Sequence, residues 1–297
     1  MLRHALPFVL SWGLALPLIA VDPPSAEAQR RQRRTAEDAP SGPRVTLADM
    51  DEILPRLQSA NPDEVREAID LLVIVDRPQV VPPLAELLRS GQPDRITDRA
   101  LEALRGLAHP NAIEVLTEFT NHRRVGARRR AYQALAAIDD ERVRPLLERG
   151  LRDSDRTVRG AAALALGEIG AKPSLDLLFH AFERGVVEAA IAIGKLGDEG
   201  SVERYSEFLG REPLGVMLSG YEEYLGRSDI DLETKAAIVD RLGEVAGVMV
   251  RRFLQSYLNQ FPSRIRDQEV RELFERVEET IARIPEEAAG ETIGGGQ

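Results

Sequence analysis

The feature that most constrains the fold of this chain is a recurrence of small residues at intervals of about thirty. Ala68, Ala100, Ala131, Ala162 and Ala189 stand 32, 31, 31 and 27 residues apart. Three positions on lies a second column, Leu71, Ala103, Ala134, Ala165 and Ala192, and one further a third, Leu72, Leu104, Leu135, Leu166 and Ile193. The i, i+3, i+4 spacing puts all three columns on one helix face, where small side chains let neighbouring helices approach closely. A period of this length defines an array whose units bury their apolar faces only against one another. With 43% hydrophobic but only 5% aromatic residues, the chain can fill such a core with Ala and Leu.

The segments between the columns read as helix starts. Asn61-Pro62-Asp63-Glu64 offers an Asn cap, Pro at the first helical position and Glu at the third. Pro93-Asp94 and Ser154-Asp155 are expected to play the same part before Ile96 and Val158. The fullest unit, Arg144 to Gly170, has Pro145 in its first helix, Asp153 in the turn, and Val158 with Arg159 opening its second helix. That Pro, Asp, Val, Arg order resembles the HEAT repeat family, and the unit length is similar to its short, phycobilin-lyase-like variety.

The resemblance covers about Leu47 to Leu209. It implies an all-α fold: an α-solenoid, a right-handed superhelix of about five helical hairpins with the second helices on the concave side and a C-terminal helical cap. It also implies that Asp and Arg of successive turns are tied by charge-assisted hydrogen bonds. The pattern thins away from the fullest unit. One period upstream the Pro and Asp positions hold Glu114 and His122, two periods upstream Thr97 replaces the Arg, and the unit around Val187 lacks both Asp and Arg. A continuous Asp/Arg ladder is therefore not expected.

The 297 residues divide by composition. Residues 1–28 read as a signal peptide, with Arg3, an apolar run from Ala5 to Val21, Pro23-Pro24 and the small-residue cleavage pattern Ala26-Glu27-Ala28. The run is short and holds Pro7, Gly13 and Pro17, which argues against a retained anchor. Arg30, Arg31, Arg33 and Arg34 follow at once, and positive charge there opposes translocation. The expectation is export, with a periplasmic location. With no Cys there is no lipid-modified cysteine, disulfide or thiolate metal site. Residues 29–44 read as a disordered linker, whose Arg cluster is either solvated or in weak contact with an anionic surface. Residues 45–210 hold the repeats, 211–285 a helical extension whose acidic last helix closes the stack, and 286–297 a disordered tail.

Catalytic chemistry finds little footing. Beyond residue 28 the histidines are His109, His122 and His180, the first two at opposite ends of a helix and about 20 Å apart at 1.5 Å per residue. Asp139-Asp140-Glu141 falls in a turn and reads as capping. No phosphate loop, dinucleotide fingerprint or nucleophile elbow is present, so no catalytic residue, cofactor or metal is expected. The net charge of −10 argues against a dedicated nucleic-acid binder.

What remains is a surface. The outward columns of the second helices run through Arg66, Glu67, Asp70; Asp98, Arg99, Glu102; Arg129, Arg130, Gln133; Gly160, Ala161, Leu164; and Val187, Glu188, Ile191. Charged upstream, this wall turns apolar downstream. The apolar half is either covered by helices from Leu214 onward or left as a groove for a partner segment. Between Arg123 and Arg159 there are eleven Arg against six acidic residues. Arg99, Glu102, Arg128, Arg129, Arg130, Gln133, Arg159, Leu164 and Ile191 are the candidate contacts with a protein partner. The expected function is a non-enzymatic interaction scaffold. The alternatives are a bilin-lyase-like enzyme, by resemblance alone, and a nucleic-acid binder using the Arg ridge. DNA glycosylases of this architecture work with aromatic residues, and the sole Trp here, Trp12, lies in the leader.

Overall fold

The computed structural model describes residues 46–262 and 264–285. The leader, the linker with its Arg cluster, and the C-terminal tail expected from the sequence lie outside the described residues. Within them the chain is helical, with a single isolated β-bridge between Leu209 and Glu212.

Fifteen α-helices follow one another. The first ten form five hairpins: α1 (Met50–Ile53) with α2 (Pro62–Val75), α3 (Val81–Arg89) with α4 (Asp94–Leu107), α5 (Ile113–Phe119) with α6 (Val125–Ala136), α7 (Val143–Gly150) with α8 (Arg156–Glu168), and α9 (Leu175–Glu183) with α10 (Ala189–Leu196). Then come α11 (Glu199–Ser206), α12 (Leu214–Gly226), α13 (Leu232–Val245), α14 (Val248–Leu258) and α15 (Gln268–Arg283).

Capping residues start the second helices where the sequence places them, with one exception. Asn61 accepts a hydrogen bond from the Asp63 amide at 3.0 Å, and Asp155 accepts one from the Thr157 amide at 2.8 Å. Asp94, by contrast, is already the first residue of α4, whose N-cap is Pro93 and makes no side-chain cap bond. Here Thr97 bonds back to the Gln92 carbonyl at 3.1 Å and fixes the turn from within the helix.

The three columns form the core of the stack. All fifteen residues are buried except Leu71, which is half-buried. They bring α2, α4, α6, α8, α10 and α12 side by side in chain order, each packed on the next. No first helix packs so closely on the one that follows. The second-helix layer is therefore the more tightly spaced of the two.

The period fades after Pro213, yet the layer continues. Helix α12 lies along α10 as closely as any second helix lies on its predecessor. The contact is backbone to backbone: a Cβ built on Gly194 would stand 2.3 Å from the Gly220 carbonyl oxygen, so neither helix could approach as it does with a larger residue there. The aromatic residues collect at the same crossing. Tyr205 of α11 meets Tyr221 edge-on with ring centres 5.1 Å apart and Phe182 at 5.8 Å, and its hydroxyl donates to the Met217 carbonyl at 3.0 Å. Burial raises its phenol well above the ordinary range and pushes Tyr221 and Tyr224 up to about 12.

Helix α13 packs on α11 and α12, and α15 closes the stack by packing on α13 and α14. It buries Leu273, Val277, Thr280 and Ile281, at i, i+4, i+7 and i+8, and leaves Glu269, Glu272, Glu275, Glu278 and Glu279 exposed. A polar outer face is what the end of a repeat array requires. Among the described residues, no helix is long and apolar enough to cross a membrane.

Candidate interaction surface

The second-helix wall is built from two kinds of residue, those that tie adjacent hairpins and those that are left over. The ties are ion pairs between helices about thirty residues apart in sequence. Arg99 of α4 donates to Asp70 of α2 at 2.5 Å. Arg124, at the start of α6, donates to Asp98 of α4, and Arg130 reaches the other oxygen of Asp98 at 3.3 Å. Arg128 holds Asp153 of the next turn through two bonds, Nε to Oδ2 at 2.9 Å and Nη2 to Oδ1 at 2.8 Å. These last side chains are only 13% and 10% exposed, which makes this the most sheltered pair of the ladder. Burial favours a neutral Asp153, but the Arg128 bonds and the Asp155 amide outweigh it and hold the carboxyl below its ordinary range.

Arg128 and Arg159, one period apart, do the same local work. Arg128 Nη1 donates to the His122 and Arg123 carbonyls at 3.1 and 3.5 Å, and Arg159 Nη1 donates to the Asp153 and Ser154 carbonyls at 2.8 and 3.1 Å. Each guanidinium thus satisfies carbonyls in the turn of its own hairpin. A ladder extends farther upstream than the sequence pattern suggested, because Asp70 and Asp98 sit on second helices rather than at the signature turn position.

Among the nine candidate contacts, the geometry separates structural from available side chains. Arg99, Arg128 and Arg130 are committed to acids on neighbouring hairpins. Glu102 pairs within its own helix with Arg105 at 3.2 Å. Arg129 and Gln133 are exposed on α6, and no carboxylate among the described residues pairs with Arg129. Leu164 and Ile191 are half-buried on α8 and α10.

Among the described residues the helices that pack closely on α8 are α6, α7 and α10, and in the apolar half of the wall Val187 is 40% exposed. Glu188 lies directly over Gly160, its carboxyl carbon 2.4 Å from where a Cβ would be. Gly160 and Ala161 are buried.

Two histidines, His109 and His122, serve to fix turns. His109 Nδ1 accepts from the Asn111 amide and His122 Nδ1 from the Arg124 amide, both at 3.1 Å, and the His122 ring stacks on Phe119 with centres 5.3 Å apart. Asp140 accepts the Arg142 amide and its guanidinium, at 2.9, 2.8 and 2.7 Å, and these bonds lower its carboxyl to about 2. Among the described residues no group of His, Cys, Asp and Glu converges as metal ligands would.

Residues 113–193 match the family model described as HEAT repeats. No curated protein matches the chain. Among solved structures it is similar to a chain of the CpcE and CpcF complex of phycocyanin lyase from Nostoc sp. PCC7120, at 18% identity over 82% of this chain and 97% of that one, with a TM-score of 0.45. It is similar to part of a homology model of the AP-3 complex, at 14% identity over 79% of this chain and 50% of that one, with a TM-score of 0.51. The karyopherin Kap121p, bound to the extreme C-terminus of the phosphatase Cdc14p, aligns at 16% identity over 86% of this chain and 32% of that one, with a TM-score of 0.48.

Proposed function

The chain carries HEAT repeats, and on that premise we propose that it is a non-enzymatic scaffold that binds a protein partner on its second-helix wall. One observation carries the reading. In the middle of a wall where most charges are committed between hairpins, Arg129 and Gln133 stand exposed and adjacent on α6. The ladder fixes their backbone, so contact through them orders little beyond two side chains. Arg is favoured at such sites because its planar fork holds a carboxylate through two bonds. The half-buried Leu164 and Ile191 on the following second helices supply apolar contact beside this polar point.

The location belongs to the same proposal: a leader over residues 1–28 that sends the chain to the periplasm, where the partner is met. Fractionation of cells expressing the full chain tests this, and a chain found wholly in the cytoplasm with its leader intact would rule it out.

For the binding surface, the test is Arg129→Glu with Gln133→Glu on the full chain, used as bait against cell-envelope extracts beside the wild type. The substituted side chains hold nothing in the fold, so helical content is expected to stay unchanged while partner recovery falls at least about tenfold, the scale of one charge-assisted bond lost. Equal recovery by both baits would remove Arg129 and Gln133 from the surface.

A further inference from the structure

The Asp/Arg ladder stops one rung short, and a cavity lies at the missing rung. Arg128 uses Nη1 for the carbonyls of its own turn and Nε and Nη2 for Asp153 of the next hairpin. Arg159, one period on, makes the same carbonyl bonds through Nη1, but no carboxylate among the described residues takes its Nε and Nη2. The following turn has Arg184 and Gly185 where an acid would be needed. Its two acids are elsewhere: Glu183 faces His180 Nδ1 at 3.4 Å and Glu188 covers Gly160.

The cavity at this place, about 490 Å³, opens between the fourth and fifth hairpins. Arg152, Arg159 and Arg184 all line it, and the first and last pair with no acid among the described residues. The acids on its wall are already engaged, Asp153 by Arg128 and Glu148 by Arg144 and Ser174, both at 2.7 Å. Leu177, Ala181 and Val186 give it an apolar side. Three arginines therefore line a recess whose acidic groups are already paired, next to a surface suited to a small aliphatic group.

We propose that this cavity binds the side-chain carboxylate of an acidic segment in a protein partner, with Arg159 as its two-pronged anchor and Arg152 and Arg184 flanking it. The upstream rung supplies the geometry, since it shows that a carboxylate presented from the next turn fits Nε and Nη2 of this arginine position. The partner being a protein rests on the function proposed above; the carboxylate site itself rests on the broken ladder.

Fluorescence anisotropy of the full chain with a labelled peptide of Gly and Ser flanking one Asp-Leu pair tests it, with an Asn-Leu peptide as control. The Asp peptide is expected to bind at least about tenfold more tightly than the Asn peptide, and Arg184→Gln and Arg159→Gln to remove most of that difference. Arg184→Asp, which supplies the missing acid from within the chain, is expected to abolish binding and raise the melting temperature. Equal affinity for the two peptides, or full binding by Arg184→Gln, overturns the proposal. So does displacement by inorganic phosphate in the absence of any Asp preference, which would make the cavity a phosphate site. Because Arg159 also supports its turn, Arg184→Gln decides the matter if Arg159→Gln fails to fold. Arg95→Glu, at an exposed arginine of α4 outside both surfaces, is the charge control and is expected to leave peptide binding unchanged; the envelope capture with the α6 variants is read separately, so the two proposals fail independently.

Discussion

Replacing Gly194 by Ala probes the stack where its helices come closest. The added Cβ would stand 2.3 Å from the Gly220 oxygen and 2.7 Å from Glu223 Cβ. Ordinary carbon contacts lie near 3.5 Å or beyond, so α10 and α12 would have to part by about 1 Å. The first obstacle is backbone, which no rotamer change can move aside. Overpacking of this kind costs about 1–3 kcal/mol, with the rigid case at the upper end, and the better helix propensity of Ala returns about 1 kcal/mol. The net loss is about 2 kcal/mol. At roughly 2–4 °C per kcal/mol for a domain of this size, the melting temperature falls by about 4–8 °C. Gly106, in α4, is the control: nothing lies within 4 Å of its added Cβ. There Ala is expected to raise stability by up to about 1 kcal/mol. Thermal melts of both variants, followed by circular dichroism at 222 nm, give the two shifts. A Gly194→Ala protein as stable as the wild type would mean that the α10–α12 backbones are not in contact.

Other perturbations test different parts of the structure. Ala162→Leu or Ala165→Leu, at fully enclosed positions of α8, is expected to cost about 1–3 kcal/mol by overpacking, read from denaturant unfolding; no change in either would displace the small-residue columns. Asp153→Asn leaves Arg128 without its charged partner, and a loss of about 1.5–3 kcal/mol is expected near neutral pH. Because the folded-state Asp153 carboxyl lies below its ordinary range, its contribution is complete above the unfolded value of about 3.9 and disappears as pH falls through the folded value. The stability gap between wild type and Asp153→Asn should therefore narrow as the pH falls below the unfolded value of about 3.9, and a gap that stays constant down to acid pH would contradict the pairing.

Much of the fold was legible because its core is periodic. A residue such as Ala131 or Leu135 has one environment repeated along the array, and a pattern of i, i+3, i+4 at a fixed period encodes it directly. Helix α12 was harder to place in the layer because its fit depends on one glycine contact, Gly194 against Gly220, and on an aromatic group gathered from α9, α11 and α12, neither of which carries a period. The candidate surface was legible in part. Sequence spacing puts Arg99, Arg129 and Arg130 on outward positions, but whether a guanidinium is free depends on an acid some thirty residues away and on side-chain direction. Arg128 and Arg129 are neighbours in the chain, yet one is locked to Asp153 and the other is exposed. The recess around Arg159 draws on two hairpins and on Arg152 and Arg184, which the wall columns do not include. The signal that could have pointed to it was the absence of an aspartate in the turn after Arg159.

The fold rests on a stack of second helices that runs on past the point where the repeat fades, through the contact of α10 with α12. A pair of cysteines tests this directly, since the native chain has none. Lys195 and Glu223 face each other between α10 and α12, with Nζ and Oε1 4.0 Å apart. In the Lys195→Cys, Glu223→Cys protein, a short thiol-reactive crosslinker is expected to join the two positions within one chain, giving a faster-migrating band in high yield while each single variant gives none. A double variant that stays uncrosslinked, though folded and fully reactive toward a simple thiol reagent, would contradict the continuous wall.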